Sequence, residues 1–291
     1  MMRLRLSILA TLLAAAICGQ AEPQDSTVLR PATVTVAIDA GATHSLDTYL
    51  SPLFYDGMHL RIGFERQRAS RFNPERWTNK IEAGFTYDHP SNPAGNNSLH
   101  TIIADVDFAM LHRWRVAQGL TLHAGAGIGF RGGVTYNPRN SNNVCSPLIR
   151  LYAGASGMAA YRFNAGRLPM TVRWQATLPV VGSFFLPDYD HSFYEMYLVN
   201  YRNTINFGFW HNRFDMDNTV CLDFHFGTSS LRLGYRNEFT TVWENNISQR
   251  RATHSLVVGI QWESLRIDTR RAMPERAKII SATYSKSKLT T

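Results

Sequence analysis

The stretch that decides the fold runs from Thr101 to Arg131 and reads TIIADVDFAMLHRWRVAQGLTLHAGAGIGFR. Apolar residues occupy every second position on both sides of a break at Trp114–Gly119. They are Ile102, Ala104, Val106, Phe108 and Met110 before the break, and Leu120, Leu122, Ala124, Ala126, Ile128 and Phe130 after it. Because successive side chains of a strand point to opposite faces, the stretch predicts an antiparallel hairpin with one apolar face and one polar or small face.

The same alternation recurs along the chain. It is found in Thr33–Ala40, Met58–Arg68, Asn79–Asp88, Leu148–Phe163, Met170–Leu178, Ile205–His211, Thr219–Phe226, Leu231–Trp243 and Ala252–Trp262. Regularly spaced strands of this kind indicate an all-β sandwich or barrel. Each arm of the central hairpin is about as long as a tilted strand that crosses a bilayer, ~9–11 residues. We therefore predict an all-β, antiparallel transmembrane β-barrel.

Loop lengths give a strand count. In membrane barrels the periplasmic turns are short, the extracellular loops are long, and both termini are usually periplasmic. Short connections at Trp114–Gly119, Asn164–Pro169 and Asn212–Asn218 alternate with long ones at His89–Ser98, Gly132–Pro147 and Pro179–Thr204. The long loops are thus predicted to share one side, and an even count requires a last strand at Ala277–Ser285. The prediction is about 12 strands, with a ten-strand barrel as the alternative.

The two ends of the chain are predicted to lie outside the barrel. Arg3 and Arg5 precede a short apolar run and small residues, which is typical of a secretory signal peptide over residues 1–21. Residues 22–32 are expected to be a disordered lead, residues 33–285 the barrel domain and residues 286–291 a tail. Export with a barrel fold predicts the outer membrane of a Gram-negative bacterium, with membrane lipid as the partner.

Composition argues against several classes of function. The net charge of +8 comes mostly from the signal segment and the basic residues after 265, so no basic face is predicted for nucleic acid. Three cysteines are too few for a disulfide scaffold, and no cysteine or histidine pair has the spacing of metal ligands. We therefore predict no nucleic-acid partner, no metal and no cofactor. The oligomeric state is left open.

If the apolar faces meet lipid, the opposite faces line the lumen. That set comprises Arg61, Glu65, Lys80, Glu82, Asp105, Asp107, Arg173, Gln175, Asp223, His225, Arg232, Arg236 and Glu238. Both charge signs are present, so we favour ion pairs that fill a narrow lumen over a polar channel or substrate cavity. Aromatic residues near the strand ends are expected to form girdles at the membrane interfaces: Trp77, Tyr87, Trp114, Tyr136, Tyr161, Trp243 and Trp262.

Two constellations are candidates for chemistry. His89 and Ser91 resemble the His-x-Ser pair of outer-membrane phospholipases and deacylases, but Pro90 and Pro93 predict a loop there, so catalysis is the minority interpretation. The second candidate is a run in the longest loop, Asp188-Tyr189-Asp190-His191 with Glu195. Such a cluster can bind a divalent ion, although it is more often a solvated loop. No catalytic, cofactor-binding or metal-binding residue is assigned.

Several short motifs occur in a fixed order along the chain. They are Tyr49-Leu50-Ser51-Pro52-Leu53 with Tyr55 and Gly57, Asn92–Asn97, Tyr136-Asn137 with Asn140–Asn143, Ser192–Glu195, and His211-Asn212. This pattern, which spans roughly Tyr49 to Trp262, is similar to a domain-of-unknown-function family of Bacteroidetes envelope proteins. The resemblance implies an outer-membrane-barrel-like protein and carries no site residues.

The sequence thus favours a non-enzymatic outer-membrane barrel, either a pore or transporter or a structural envelope protein. The alternatives are an outer-membrane lipid hydrolase that uses His89 and Ser91, and a secreted β-sandwich or lipocalin-like binding protein. The Asn-rich loops suggest one further hypothesis, an extracellular mouth that binds a small polar or glycan-like ligand. A purely conformational role for these Asn and Gly residues is favoured, because both tolerate left-handed backbone.

Overall fold

The computed structural model describes residues 28–189, 192, 195, 204–265 and 278–282. The strands in these ranges are β1 (Val28–Leu29), β2 (Ala32–Asp47), β3 (Ser51–Ala69), β4 (Trp77–Ser91), β5 (His100–Ala117), β6 (Leu120–Tyr136), β7 (Cys145–Ala165), β8 (Leu168–Phe185), β9 (Ile205–Phe209), β10 (Arg213–Phe226), β11 (Ser229–Glu244), β12 (Ile247–Ser264) and β13 (Lys278–Ile279). Among the described residues, no helix is long and apolar enough to span a membrane.

Ten of the described strands close into an antiparallel barrel in the order β2 to β8, then β10, β11 and β12. The barrel closes where β12 pairs with β2, from Ser264 opposite Ala32 to Gln249 opposite Asp47. Closure satisfies the backbone hydrogen bonds of both would-be edge strands, which a sheet in lipid requires. The sandwich alternative is therefore wrong.

The two ends of the barrel differ in their connections. The end where β2 begins and β12 ends, here called the terminus end, has turns of two residues after β5, β7 and β10. The opposite end, the loop end, carries the long connections 92–99, 137–144 and 186–204. The prediction that the long loops share one side is confirmed.

The count of twelve strands is wrong, and the ten-strand alternative is right. The segments Ile205–His211 and Thr219–Phe226 were expected to form a hairpin, but β9 and β10 both run antiparallel to β8 and hence in one direction. Strand β9 pairs with Val181–Phe185 beyond the part of β8 that pairs with β10. Asn212 causes the break between them, since its Oδ1 accepts the Phe209 N–H at 3.0 Å and its own N–H donates back to the Phe209 carbonyl. The turn at Asn212 therefore separates two strands that run in the same direction, and the chain does not reverse there.

The second correction concerns Ala277–Ser285. Lys278 and Ile279 form β13, which pairs in parallel with β1 outside the barrel sheet, so this segment is not a barrel strand. Ala277 and residues 283–285 lie outside the described residues, as do the predicted signal peptide and tail. Val28 and Leu29, in the predicted disordered lead, form β1.

The barrel turns its apolar residues outward and its polar residues inward. In the central hairpin, Val106, Ile128 and Phe130 are exposed on the outer face, whereas Asp105 and His123 are buried. The alternation that predicted the strands therefore also separates the outer wall from the lumen.

Candidate functional site

Charged side chains from nearly every barrel strand meet in the lumen. All thirteen residues predicted to line it are buried or half-buried. The interior also holds charged residues that were not singled out from the sequence: Asp39, Asp88, Arg131, Arg150, Arg213, Asp215, Asp217 and Arg251. We call the ion-paired members of both sets the lumenal network.

The half of the network nearer the terminus end centres on Glu65. Its carboxylate lies 3.1 Å from Arg173 Nη1, 3.6 Å from Arg232 Nη1 and 3.9 Å from Lys80 Nζ. Arg232 also binds Asp223 through two nitrogens, at 2.7 and 3.0 Å. Glu65 on β3 and Arg173 on β8 come from opposite strands of the ring. This ion pair therefore crosses the lumen.

The other half centres on Arg236, Glu82 and Glu238. Arg236 Nη1 donates to Glu82 at 3.0 Å, and its Nη2 binds Asp217. Arg61 pairs with Asp105 and lies 3.8 Å from Glu82. Because Lys80 contacts Glu82 at 2.9 Å as well as Glu65, the two halves are continuous.

The network continues to the loop end. Glu238 accepts from Arg251 at 2.9 Å and lies 3.7 Å from Arg131 on the far side of the barrel. Arg150 and Arg213 both pair with Asp215. The ion pairing predicted for the lumen is confirmed. It extends further towards the loop end than predicted, because the strands themselves extend beyond their predicted ends.

The segment 278–282 lies across the terminus end. Arg113 on β5 donates from Nη1 to the carbonyls of Ser281 and Ala282 at 2.8 and 3.2 Å. Ser281 Oγ donates to Glu263 on β12, which lies almost opposite β5 in the ring. Ile280 and Ala282 are buried. The segment therefore bridges the opening at this end.

An apolar cluster closes the loop end, and we call it the cap. It consists of Tyr49, Leu50, Tyr55, Leu99, Phe184, Leu186, Val242 and Ile247, which come from the inner faces and turns of β2, β3, β8, β11 and β12 and from the loop before β5. Each is at most 5% exposed. Burial raises the pKa of the Tyr49 hydroxyl to about 12, and the nearby carboxylate of Asp47 acts in the same direction.

The Asn-rich motifs support the cap. Asn97 Nδ2 donates to the Tyr55 hydroxyl at 3.0 Å and to Asn137 Oδ1 at 3.1 Å. Asn140 Nδ2 donates to the Leu50 carbonyl at 3.0 Å. These amides hold the loops over the lumen through side-chain hydrogen bonds. Left-handed backbone, the reason given from the sequence, is found among the described residues of these motifs only at Gly95.

A cavity lies between the cap and the lumenal network. Its volume is about 700 Å³ when the space that it shares with open solvent is included. Leu99 and Phe185 bound it on the cap side, and Arg131 and Arg251 bound it on the network side. Sequence reasoning missed this cavity, because its lining combines residues from strands far apart in the chain.

His89 and Ser91 lie on strand β4, not in a loop as predicted. The ladder between β3 and β4 continues to Asp56 opposite Ser91, because one missing N–H at Pro90 is tolerated near a strand end. As residues i and i+2 of a strand, His89 and Ser91 share the outer face. His89 Nδ1 is buried without a hydrogen-bond partner among the described residues, and the His100 ring lies 4.6 Å away between centroids. The pair therefore sits on a rigid wall, and no described residue forms a hydrogen bond with His89 Nδ1 that would orient the ring.

The acidic run in the longest loop is only partly described. Asp190 and His191 lie outside the described residues. Glu195 accepts from the backbone N–H of Ser192 at 2.8 Å and from its hydroxyl at 3.1 Å. Within the described ranges, no three His, Cys, Asp or Glu side chains are placed to hold a metal ion.

The chain belongs to the family described as protein of unknown function (DUF3316), whose sequence model matches residues 4–271. The resemblance to such a family is confirmed, while the Bacteroidetes origin stays a prediction. A comparison with curated protein sequences found no match.

Several solved structures are similar in their strand arrangement. The outer membrane protease OmpT from Escherichia coli has a TM-score of 0.48 at 6% identity, over 84% of this chain and 99% of that one. The β domain of the Bordetella autotransporter BrkA has a TM-score of 0.39 at 10% identity, over 80% of this chain and 99% of that one. An outer membrane channel from Pseudomonas putida F1 has a TM-score of 0.37 at 11% identity, over 84% and 100%. Similarity at this level says nothing about activity.

Proposed function

We propose that this family member is a non-enzymatic β-barrel of the outer membrane, closed to ions and serving a structural role in the envelope. The observation that carries the proposal is the lumenal network, which crosses the barrel between opposite strands and is covered at both ends. A pore or transporter, the other role considered from the sequence, would need an open path along the lumen.

The outer wall supports the membrane location. Ile62, Ile128 and Val258 are each more than half exposed, which is costly in water and favourable in lipid. The predicted girdle residues all lie on the outer face. Trp77, Trp114, Tyr161 and Trp262 are near the terminus end, and Tyr87, Tyr136 and Trp243 are near the loop end. The barrel strands have 14 to 21 residues, more than the ~9–11 needed to span, so their ends project beyond the hydrocarbon.

The charge balance supports a closed lumen. Each arginine at the centre of the network is matched by carboxylates, as Arg236 is by Glu82 and Asp217. Removing one partner of a buried ion pair leaves an uncompensated charge and costs ~3–5 kcal/mol. Separating these pairs to open a channel carries the same kind of penalty. The folded barrel is thus expected to stay closed.

Conductance across a planar lipid bilayer tests the proposal. The wild-type protein should insert without conducting, whereas the double variant Arg61→Ala, Arg236→Ala should conduct because it removes two guanidinium groups from the middle of the lumenal network. Arg66→Ala, on the outer face of β3, is the matched control and should stay silent. An ohmic conductance of the wild-type protein would overturn the proposal in favour of a pore.

A second candidate is lipid-ester hydrolysis by His89 and Ser91. One observation favours it, namely that both side chains share the outer face of β4 just beyond Tyr87, where a lipid headgroup would lie. In this reaction the Ser91 hydroxyl would attack an ester carbonyl while His89 takes its proton and passes it to the departing alcohol. Water, deprotonated by His89, would then cleave the acyl–serine ester and release the fatty acid. Release of fatty acid from phospholipid vesicles should then be lost in Ser91→Ala and kept in Ser98→Ala. Vesicles left intact by the wild-type protein would remove this candidate.

A small polar or glycan-like ligand at the extracellular mouth is a further proposal. Asn92 and Asn96 bond to each other at 2.7 Å, and Asn97 and Asn140 bond to cap residues, so few amides of these motifs are left for a ligand. The folded protein would be tested on an oligosaccharide array. Binding that is lost when Asn92 and Asn96 are replaced by Ala would support this proposal.

A further inference from the structure

We propose that the cavity beneath the cap is a binding site for a small organic carboxylate with an apolar body. We call it the arginine cavity, because Arg131, Arg150, Arg213 and Arg251 line it. The proposal goes beyond the closed-barrel function, since a barrel that only fills its lumen needs no such space.

The charge of the lining favours an anion. Arg150 and Arg213 share one carboxylate, Asp215, and Arg131 and Arg251 share another, Glu238. Neither Asp215 nor Glu238 belongs to the lining, so the cavity faces the arginines and not their partners. Arg251 has a second carboxylate partner, Asp88, at 2.8 Å. The positive charges of Arg131, Arg150 and Arg213 are therefore less fully neutralised than that of Arg251.

One acidic residue, Asp47, does line the cavity. Its carboxylate accepts from the backbone N–H of Tyr49 at 3.1 Å and from Gln249 Nε2 at 3.0 Å. Asp47 is thus held by the turn beneath the cap and by β12. The four arginines named above outnumber this single carboxylate and leave the lining cationic, and Arg250, a fifth lining arginine, is exposed.

Unused donors point to a missing partner. Arg150 is 5% exposed, and its Nε is buried with no hydrogen-bond partner among the described residues. The Nε of Arg131 is likewise buried and without a partner there. A buried donor of a charged group that stays unpaired is costly, and such groups are rare in folded proteins. Arg131 and Arg150 both line the cavity, so a carboxylate there would lie against guanidinium groups whose donors are not all used.

The arginines are held in place before any ligand arrives. The Arg150 guanidinium stacks on the Tyr152 ring at 4.3 Å, and that of Arg213 lies 5.0 Å from the centre of the Phe184 ring. Such cation–π contacts fix planar groups without using their in-plane donors. A carboxylate can therefore bind in the fork geometry that a guanidinium offers, with little ordering cost.

The lining also includes a group of apolar side chains. Leu99, Ile103, Leu148 and Phe185 lie among the lining residues, and the first and last belong to or pack against the cap. An inorganic anion would leave this surface without a partner. A ligand with one carboxylate and a short apolar chain matches both parts of the cavity.

Calorimetric titration of the detergent-folded protein with hexanoate tests the inference. Hexan-1-ol has the apolar body without the charge, and acetate has the charge without the body. Hexanoate should bind saturably and at least tenfold more tightly than either comparator. Arg150→Gln should weaken hexanoate binding about tenfold, and the matched control Arg66→Gln should leave it unchanged.

Three results would overturn the inference. They are the absence of saturable hexanoate binding, equal binding of hexanoate and hexan-1-ol, and unchanged binding in a folded Arg150→Gln variant. If Arg150→Gln does not fold, as judged by the loss of its heat-dependent shift in gel migration, the three ligands on the wild-type protein decide the matter. The titration does not depend on conductance, so a failure here is distinct from a failure of the closed barrel.

Discussion

The outer wall and the lumen of this barrel are built from the same strands but obey opposite rules. On β5, Val106 is 41% exposed to the outside while its neighbour Asp105 is 4% exposed and pairs with Arg61. A soluble protein would bury the first and expose the second. The outer wall depends on single side chains that each face outward, whereas the lumen depends on ion pairs, many of which join different strands.

The difference shows in how each region tolerates change. An outer residue can be replaced by any apolar side chain of similar size, because its environment is uniform. A charged residue of the lumenal network forms ion pairs with specific side chains, so its removal leaves their charges unpaired. Four substitutions test this contrast.

Glu65→Ala should have the largest effect. It leaves Arg173, Arg232 and Lys80 with less compensation, and breaking such a buried pair costs ~3–5 kcal/mol. The free energy of unfolding by urea in lipid vesicles would measure it. The matched control is Asp56→Ala, whose carboxylate is 69% exposed and pairs with half-exposed His44. An exposed pair is worth ~0–1 kcal/mol, so equal losses in the two variants would contradict the importance of the lumen.

Ile128→Arg tests the outer wall. An arginine facing lipid near the bilayer midplane should destabilise the barrel by ~2–4 kcal/mol. Val116→Arg is matched in exposure, since Val116 and Ile128 are both 58% exposed, but it lies past the girdle residue Trp114. A charge near the interface should cost only ~0–1 kcal/mol. If both variants unfold at the same urea concentration, the band around Ile128 is not in lipid.

Gly84→Ala tests packing inside the network. A Cβ atom on Gly84 would overlap the guanidinium of Arg61, and overpacking of this kind costs ~1–3 kcal/mol. Gly63 is directly opposite Gly84 in the β3–β4 ladder, and its Cβ would meet nothing closer than 4.0 Å. Thermal unfolding should therefore occur at a lower temperature in Gly84→Ala than in Gly63→Ala. Equal melting temperatures would mean that Arg61 has room to move.

The smallest effect concerns pH and the cap. The Tyr49 hydroxyl has a pKa raised to about 12 by burial, above the value of ~10 for an unfolded chain. The folded state therefore holds this proton more tightly. Its contribution to stability is complete below pH ~10 and is lost as the pH rises towards 12. Tyr49→Phe should remove this part of the alkaline destabilisation, and an unchanged pH profile would show that Tyr49 ionises freely.

The outer wall was predictable from the sequence because the inward or outward direction of each side chain follows from the local alternation. Alternation alone placed Ile62, Phe85 and Ile128 on one face, and the structure agrees. Strand ends were predicted too short, as for Asn79–Asp88 within β4, because backbone pairing continues after the alternation stops.

The lumen was predictable only in composition. Nothing in the local sequence indicates that Glu65 meets Arg173, since that contact depends on barrel closure and on the register of every strand between them. The cavity and the cap were missed for the same reason. The hairpin predicted around Asn212 was wrong because turn-forming residues indicate a bend but not whether the chain reverses its direction after it.

Lipid exposure of the central band distinguishes a membrane barrel from a barrel in water. A spin label at Ile128→Cys, with Cys145→Ser and Cys221→Ser in the background, would be examined in vesicles by paramagnetic relaxation. We expect frequent collisions with oxygen and few with a water-soluble nickel complex, and the reverse for the same label at Val116→Cys. Free access of the nickel complex to the label at Ile128 would show that this face is in water, which would contradict a membrane barrel.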